Sequence, residues 1–364
     1  MTRYRDVRTT LTDPRFTRTG IFGAGDSEII ETSNVMSEER SILNVDDADH
    51  QRLRRLVQRA FTPRHIATWR PWVASVIDDL VDALISAGPP ADLVPAFTMA
   101  LPMRVICRLI GVPAADQLRL REWGDRAMSL SAYPAEEVRA AMAEFAGYVT
   151  ELVAARRAEP GDDLLTSLIT ARDTGDDALT DDELVSLVRD LIIGGHETTM
   201  TALGNSLIAL LDNDRELWRQ LTERPERAAT AVEELLRYVP LGEGITEAGL
   251  LRRATENVEL GGVTLPAGAI VAAGLMCANR DPASYPEPDD LDITRPPATP
   301  ILTFGAGPHY CLGAWLARLE LELSLRQLAT SLPSLRLDLD VGHLAFTAGL
   351  MTRGPASLPV TWST

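Results

Sequence analysis

The feature that most constrains this chain is the helical spacing of apolar residues, which recurs along most of its length. The periodic segments end at Gly, Pro or Asp-Pro, which are the residues that stop helices. The longest apolar run follows a Thr-x-x-Glu capping box at Thr180 and Glu183. The pattern predicts a mainly α fold. The predicted helices are Tyr4–Leu11, Asp47–Phe61, Trp69–Ser86, Pro95–Ile110, Ala114–Leu130, Ala135–Glu159, Leu184–Leu211, Arg215–Thr222, Pro225–Tyr238 and Leu312–Leu332.

The region after Pro240 follows a different pattern. Val258–Gly268 alternates between polar and apolar residues around Gly-Gly, which predicts a β-hairpin. Ile270–Ala278 is predicted to be a buried strand or a short helix, and the C-terminal tail to form short strands. The predicted fold class is therefore mainly α with small β-sheets. Thr19–Val45 shows no period and is predicted to be a long loop, a kind of segment that is often functional.

Charge and composition exclude several classes of protein. The net charge is −17, from 52 Asp+Glu against 35 Lys+Arg, which argues against nucleic-acid binding. No apolar run approaches the ~18 residues of a membrane span, and the polar start Met1–Arg8 lacks the apolar core of a signal peptide. Three widely separated cysteines argue against a secreted disulfide scaffold, so we expect a cytoplasmic protein.

The segment Phe304-Gly-Ala-Gly-Pro-His-Tyr-Cys-Leu-Gly carries the most specific chemistry in the sequence. Gly305 and Gly307 allow a tight loop with positive φ. Cys311 follows at the start of the helix predicted from Leu312, where free N–H groups and the helix dipole would lower the pKa of a thiol. On these residues alone, the cysteine is a candidate nucleophile or metal ligand, with a structural accident as the alternative.

The complete pattern Phe-Gly-x-Gly-x-His-x-Cys-x-Gly resembles the haem-binding signature of the cytochrome P450 family of haem-thiolate monooxygenases. The resemblance implies that Cys311 is the axial ligand to the iron of haem b, and that its electron donation favours cleavage of the O–O bond. It also implies that Phe304, Gly305 and Gly313 shape the cofactor-binding loop, and that His309 contacts a haem propionate.

A second motif, Gly-Gly-His-Glu-Thr-Thr from Gly194, interrupts the longest apolar run. Adjacent glycines cost ~1 kcal/mol each inside a helix, which suggests that a flat group approaches the backbone there. The Thr198 hydroxyl is spaced to bond the Gly194 carbonyl. The run resembles the family's oxygen-activation motif, which implies that Glu197 relays protons and that Thr198 hydrogen-bonds dioxygen. His196 is predicted to be a packed or solvent-facing residue, or an extension of the proton path.

Glu234 and Arg237 lie three residues apart on one predicted helix face, so they can form an ion pair. Taken alone, such a pair is typical of a solvated surface. Its place ahead of the cysteine loop resembles the family's buried Glu-x-x-Arg pair. The resemblance implies that Arg295 is the third member, and that the group holds an irregular segment in register rather than taking part in catalysis.

His50 and Arg54 lie four residues apart and face the same side of a predicted helix. A solvated face is the alternative interpretation, but the stretch resembles the family's helix that grips the haem propionates. Arg252 resembles another propionate partner, with Arg253 as its rival if the register shifts by one. Such groups would satisfy two anionic propionates through charge-assisted hydrogen bonds.

Substrate contacts are implied only by the resemblance. They would form a mostly apolar pocket for a lipophilic small molecule, lined by Ile192, Ile193, Leu241, Ile245, Phe346 and Met351. The sequence contains no recognisable flavin or nicotinamide domain, so electrons are expected from a separate ferredoxin and ferredoxin reductase. Four arginines near the expected proximal face are candidates for that docking surface: Arg55, Arg59, Arg318 and Arg326.

The resemblance implies an enzyme that activates dioxygen and hydroxylates or epoxidises a small molecule, in secondary metabolism. A peroxide-driven haem-thiolate enzyme is one alternative. A non-catalytic haem-binding partner protein is another, and Glu197 with Thr198 argues against both.

A length of 364 residues first suggests two domains. The motifs span His50 to Gly313, so we expect one catalytic domain over residues 1–364, apparently without the family's usual N-terminal leader.

Overall fold

The computed structural model describes residues 1–21, 34–38, 40–174, 179–242 and 250–363. These ranges are mainly helical with small sheets, which confirms the predicted fold class. Within them, no helix is both long enough and apolar enough to cross a bilayer. The helices are α1 (Tyr4–Thr12), α2 (Asp47–Val57), α3 (Pro63–Ala87), α4 (Ala100–Ile110), α5 (Gln117–Ala127), α6 (Ala135–Ala158), α7 (Leu164–Thr174), α8 (Asp181–Leu211), α9 (Glu216–Glu223), α10 (Ala228–Tyr238), α11 (Leu275–Ala278) and α12 (Ala314–Ser331).

The predicted helices agree with these elements in position, with local errors at the ends. The helix predicted from Trp69 begins at Pro63, because the Thr62 side chain caps it by accepting from the backbone N–H of His65. Helix α7 was missed by the sequence patterns. Its start is marked by Asp163, whose carboxylate accepts from the Thr166 N–H at 2.8 Å, a capping signal that the periodicity does not contain.

Helix α8 lies at the centre of the fold and packs against α4, α5, α6, α9 and α12. Its predicted capping box forms: the Thr180 hydroxyl accepts from the Glu183 N–H, and the Glu183 carboxylate accepts from the Thr180 N–H. The helix continues for 31 residues through Gly-Gly-His-Glu-Thr-Thr without a break. The glycines therefore do not end the helix, and the absence of a side chain at these two positions has another reason.

Among the described residues, the strands are short and form three small sheets. They are β1 (Phe16–Thr17), β2 (Ala91–Asp92), β3 (Leu251–Ala254), β4 (Val258–Leu260), β5 (Val263–Leu265), β6 (Ile270–Ala272), β7 (Arg336–Leu337) and β8 (Pro359–Thr361). The sheet orders are β1-β3-β6, β2-β8-β7 and β4-β5, all antiparallel. The predicted hairpin is β4-β5. The segment from Ile270 to Ala278 contains both predicted alternatives, β6 followed by α11.

Candidate functional site

The cysteine loop runs from Phe304 to the start of α12 and is closed by a hydrogen bond from the Cys311 N–H to the Phe304 carbonyl, 2.9 Å. Gly305 and Gly307 have φ of +71° and +70°, as the sequence predicts. A Cβ on Gly307 would lie 2.6 Å from the Leu11 carbonyl oxygen. Glycine is therefore required there both by the backbone conformation and by the close approach of α1.

The electrostatics of Cys311 differ from the prediction. Helix α12 begins at Ala314 rather than Leu312. Solvent can reach the cysteine, yet surrounding atoms still desolvate the thiol and raise its pKa. Backbone N–H groups of Gly313 and Ala314 and the cations of Arg54 and Arg318 act in the opposite direction without outweighing burial. The expectation that the loop alone favours a thiolate is therefore wrong for the protein without a metal, whose charge would supply the missing stabilisation.

A cluster of polar side chains lies around Asp46, next to this loop. His309 Nε2 lies 2.8 Å from an Asp46 carboxylate oxygen, and the His309 ring packs on the His50 ring at 4.1 Å. Burial would raise the pKa of Asp46, but hydrogen bonds from His309, from Thr17 and from two backbone N–H groups hold it well below its usual range. Burial, followed by the nearby His309 and Arg54, lowers the pKa of His50 to about 4.

Two buried arginines complete the cluster. Arg252 is 2% exposed and Arg18 is 3% exposed. Burial lowers the pKa of Arg252 to about 10, and burial together with the Arg252 charge lowers that of Arg18 to about 9, although Asp46 acts against both shifts. Sequence reasoning missed both Arg18 and Asp46. Asp46 precedes a predicted helix, like an ordinary capping residue, and Arg18 lies in a segment that has no periodic signal.

The structure also decides which of two neighbouring arginines, Arg252 or Arg253, faces the cluster. Because side chains alternate along β3, Arg252 points into the cluster while Arg253 donates to the Thr19 carbonyl at 3.0 Å. Arg54, one turn beyond His50 on α2, donates to the Tyr310 carbonyl at 2.7 Å, beside Cys311. The structure thus brings His50, Arg54, Arg252 and His309 to one region.

One stripe of α8 remains open although most of the helix is buried. Gly194 is exposed, Leu191 and Thr198 are half-buried, and these positions share one helix face. A Cβ on Gly194 would meet no atom within 4 Å. The Thr198 hydroxyl donates to the Gly194 carbonyl at 2.8 Å, the bond that the spacing predicts. A side-chain hydroxyl and an accessible stretch of backbone therefore lie together on this stripe.

Gly195 is small for a different reason. A Cβ there would lie 2.5 Å from Cδ1 and 2.6 Å from Cγ1 of Ile106, on α4. The prediction that both glycines admit a flat group is therefore supported only at Gly194, since Gly195 permits the close packing of α4 against α8.

We expect opposite effects from adding a methyl group at these two glycines. Gly195→Ala should lower the free energy of unfolding by about 1–3 kcal/mol, because Ile106 must move. Gly194→Ala should raise it by up to ~1 kcal/mol in the haem-free protein, because alanine is the better helix former. Urea unfolding followed by circular dichroism measures both, and a Gly195→Ala protein as stable as Gly194→Ala would contradict the assignment.

Glu197 and His196 lie on another side of α8, and both are 1% exposed. His196 Nε2 lies 3.1 Å from Glu197 Oε1. Burial would lower the pKa of His196, but Glu197 and the Ile192 carbonyl outweigh burial and raise it. His196 is therefore an interacting partner of Glu197, which the sequence did not decide.

Glu234, Arg237 and Arg295 meet in one network. Arg237 donates to both Glu234 carboxylate oxygens, at 2.7 and 2.8 Å, and Arg295 Nε donates to one of them at 3.1 Å. Both arginines also donate to backbone carbonyls of the irregular segment 279–290. Glu234 is 2% exposed and Arg237 is 1% exposed, so this pair is not a solvated surface pair.

The residues predicted to line a substrate pocket lie in different environments. Ile192 and Ile193 are buried in the main apolar core, whereas Leu241, Phe346 and Met351 are half-buried. The Arg353 guanidinium lies 4.3 Å from the centre of the Phe346 ring, and the Arg353 N–H donates to the Leu241 carbonyl. Ile245 lies outside the described residues.

Comparison with known proteins agrees with this arrangement. The family model for Cytochrome P450 matches residues 130–224 and 227–331. The chain is 42% identical over its whole length to "Nocardicin C N-oxygenase" of Nocardia uniformis subsp. tsuyamanensis and, also at 42%, to "Mycinamicin IV hydroxylase/epoxidase" of Micromonospora griseorubida, and it covers 89% of each. The crystal structure of cytochrome P450mel 107F1, with biaryl coupling reactivity, superposes with a TM-score of 0.92 at 40% identity, over all of this chain and 89% of that one. This chain therefore belongs to the cytochrome P450 family of haem-thiolate monooxygenases.

Proposed function

We propose that this P450 inserts one oxygen atom of dioxygen into a lipophilic secondary metabolite and reduces the other atom to water. The observation that carries the proposal is the open stripe of α8, on which Thr198 is hydrogen-bonded to the exposed Gly194 backbone, with the buried acid Glu197 beside it. An alcohol and an acid at adjacent positions can hold and deliver protons beside a bound reactant.

The described residues fit a haem. Cys311 lies at an exposed position, with the Gly313 and Ala314 N–H groups directed at its sulfur. Arg18 and Arg252 are buried cations that share one nearby carboxylate, so a dianionic group would relieve an excess of positive charge. We propose that Cys311 binds the iron, that Phe304, Gly305, Gly194 and Gly313 shape the surfaces around the haem, and that His50, Arg54, Arg252 and His309 hold its propionates.

The cofactor, haem b, would supply the iron at which dioxygen is activated. The chain would supply the rest: Glu197 would hold a proton at its carboxyl group, and the Thr198 hydroxyl would orient the acceptor of that proton. Leu241, Phe346 and Met351 are the half-buried members of the proposed apolar pocket, with Ile192, Ile193 and Ile245 beside them. Relatives named for nocardicin C and mycinamicin IV support a secondary metabolite as the substrate.

Thr198→Ala should uncouple oxygen consumption from product formation. Without the hydroxyl, the product formed per dioxygen consumed should fall roughly tenfold or more, because proton delivery loses its orientation. Thr199→Ala is the matched control, since Thr199 is the next residue but its side chain is buried. Oxygen-electrode measurements with product quantification decide the matter, and unchanged coupling in Thr198→Ala would count against the role.

We propose that a ferredoxin and its reductase supply the electrons. Arg55, Arg59 and Arg326 are exposed and suit an acidic partner, whereas Arg318 is paired with Glu233 at 2.5 Å. Arg318 is therefore a weaker candidate for docking than the sequence suggests. Turnover with a ferredoxin system, compared with hydrogen peroxide, tests the peroxide-driven alternative, which predicts equal or faster turnover with peroxide.

We further propose that residues 1–364 form one catalytic domain of a cytoplasmic protein. The central position of α8, which contacts elements from α4 to α12, supports one domain. The three cysteines, which are all unpaired, suit a reducing compartment.

A further inference from the structure

The site of interest lies where α5 crosses α8, on the side of α8 that holds Glu197. The His196 ring lies directly on the backbone of Gly124: a Cβ there would be 2.8 Å from Cε1 and 2.9 Å from Nε2 of the imidazole. Glycine at position 124 therefore lets His196 and Glu197 pack against α5. This contact brings a second carboxylic acid, Asp125, to the buried acid of the oxygen-activation motif.

Both ring nitrogens of His196 face oxygen atoms. Its Nδ1 lies 2.9 Å from the Ile192 carbonyl oxygen, which can only accept, so Nδ1 carries a hydrogen. Its Nε2 faces Glu197 at 3.1 Å. Glu197 and the Ile192 carbonyl raise the pKa of this imidazole despite burial, which favours the protonated ring beside the Glu197 carboxylate. A buried carboxylate without this cation would be much more costly.

Asp125 connects Glu197 to solvent. Its carboxyl group and that of Glu197 line one cavity, and its side chain is 25% exposed. Two neighbouring carboxyl groups favour a state in which they hold one proton between them, since two carboxylates would repel each other. Burial, and then the Glu197 charge, raises the pKa of Asp125 to about 6, while Arg121, whose Nε lies 4.0 Å away, and His196 act in the opposite direction.

A cavity of about 250 Å³ lies against both acids. Arg121, Asp125 and Glu197 line it, and Tyr133, Thr201, Thr347 and Thr352 add further polar groups. A cavity of this size with these polar groups in its lining can hold several water molecules. Such water would connect Asp125, whose side chain is 25% exposed, with solvent.

We propose that Asp125 resupplies protons to Glu197 from this cavity, and that His196 holds Glu197 in place for the transfer; this rests on the proposed function. In each transfer the O–H bond of Asp125 breaks as an O–H bond forms on Glu197, and water in the cavity then returns a proton to the Asp125 carboxylate. His196 keeps its proton throughout. Asp125 acts through Glu197 and does not itself contact the reacting atoms. It is therefore a supporting residue that supplies the proton, and not a catalytic residue.

The shared proton is tested without turnover, on the haem-loaded full chain. Infrared difference spectra between acid and neutral pH should show a protonated carboxyl group that loses its proton near pH 6 in the wild type. Asp190→Asn identifies the separate band of Asp190, a buried carboxyl whose pKa burial raises to about 7. Asp125→Asn should remove the signal near pH 6, and Asp125→Glu should restore it. Glu122→Gln, an exposed acid on the same helix, should leave the signal unchanged. If Asp125→Asn retains the titrating band, the proposal is wrong.

The transfer is tested by pH dependence and by solvent isotope effects. With the wild type, the product formed per dioxygen consumed should fall as pH rises through about 6, because Asp125 then loses the proton that it transfers. In Asp125→Asn it should fall roughly 10- to 100-fold with a flattened pH profile and a larger solvent isotope effect, since the acid–base group is lost. Asp125→Glu should recover most of the loss. A profile and isotope effect equal to wild type in Asp125→Asn would overturn the proposal even if the infrared band is lost.

The proposed function and the inference about Asp125 can each fail without the other. If the wild type does not oxygenate any substrate, the proposed function fails, and the infrared titration then decides whether the Asp125–Glu197 proton exists. If the wild type oxygenates but Asp125→Asn behaves as wild type, only the inference fails.

Discussion

Replacing Glu234 by alanine should lower the free energy of unfolding by ~3–5 kcal/mol, because it leaves two arginines without their shared carboxylate. Arg237 is 1% exposed, and its remaining hydrogen bonds would be those to the backbone carbonyls of Asn279, Pro288 and Asp290. The Asp292 N–H, which now donates to Glu234 at 3.0 Å, would also lose its acceptor. A loss of this size is a large fraction of the ~5–15 kcal/mol that stabilises a typical protein.

Urea unfolding followed by circular dichroism measures this effect, with two comparisons in the same chain. Glu226→Ala, an exposed acid just before α10, should change the stability by no more than about 0.5 kcal/mol. Arg295→Gln should cost less than Glu234→Ala, because the Arg295 side chain is 17% exposed and reaches water. Equal unfolding midpoints for Glu234→Ala and Glu226→Ala would contradict a buried network that holds the segment before the cysteine loop.

Replacing Cys311 by serine should abolish the red-shifted Soret band of the reduced carbon monoxide complex. The thiolate is the electron-rich ligand that produces this band, and a hydroxyl oxygen does not replace it. Two backbone N–H groups point at the sulfur and two arginines lie nearby, and all four would stabilise a thiolate bound to a metal. We expect monooxygenase turnover to fall with the band.

Cys277→Ser is the matched control for this experiment. Cys277 is an exposed cysteine in α11, so its replacement should leave the spectrum and the turnover unchanged. Carbon monoxide difference spectra of equally haem-loaded proteins give the result. A wild-type band in Cys311→Ser would mean that another side chain binds the iron, and would falsify the thiolate assignment.

Residues within one element could be paired from the sequence. The Thr180–Glu183 capping box, the Thr198 bond to Gly194 and the Glu234–Arg237 pair all join residues three or four positions apart, so helical geometry alone brings them together. The positive φ of the cysteine loop is local as well, because glycine itself permits it. For these features, the sequence patterns and the structure agree without any knowledge of the fold.

Residues that meet across elements could not be paired in this way. Arg18 reaches the cluster around Asp46 from the position just after β1, and Asp125 approaches Glu197 where α5 crosses α8. Neither residue has a periodic signal. The sequence alone determined the helical architecture, the cysteine loop and the acid–alcohol pair, because each depends on local spacing. The tertiary structure decided which charges are buried together, because burial and close approach depend on how distant helices pack, as at Gly124 and Gly195.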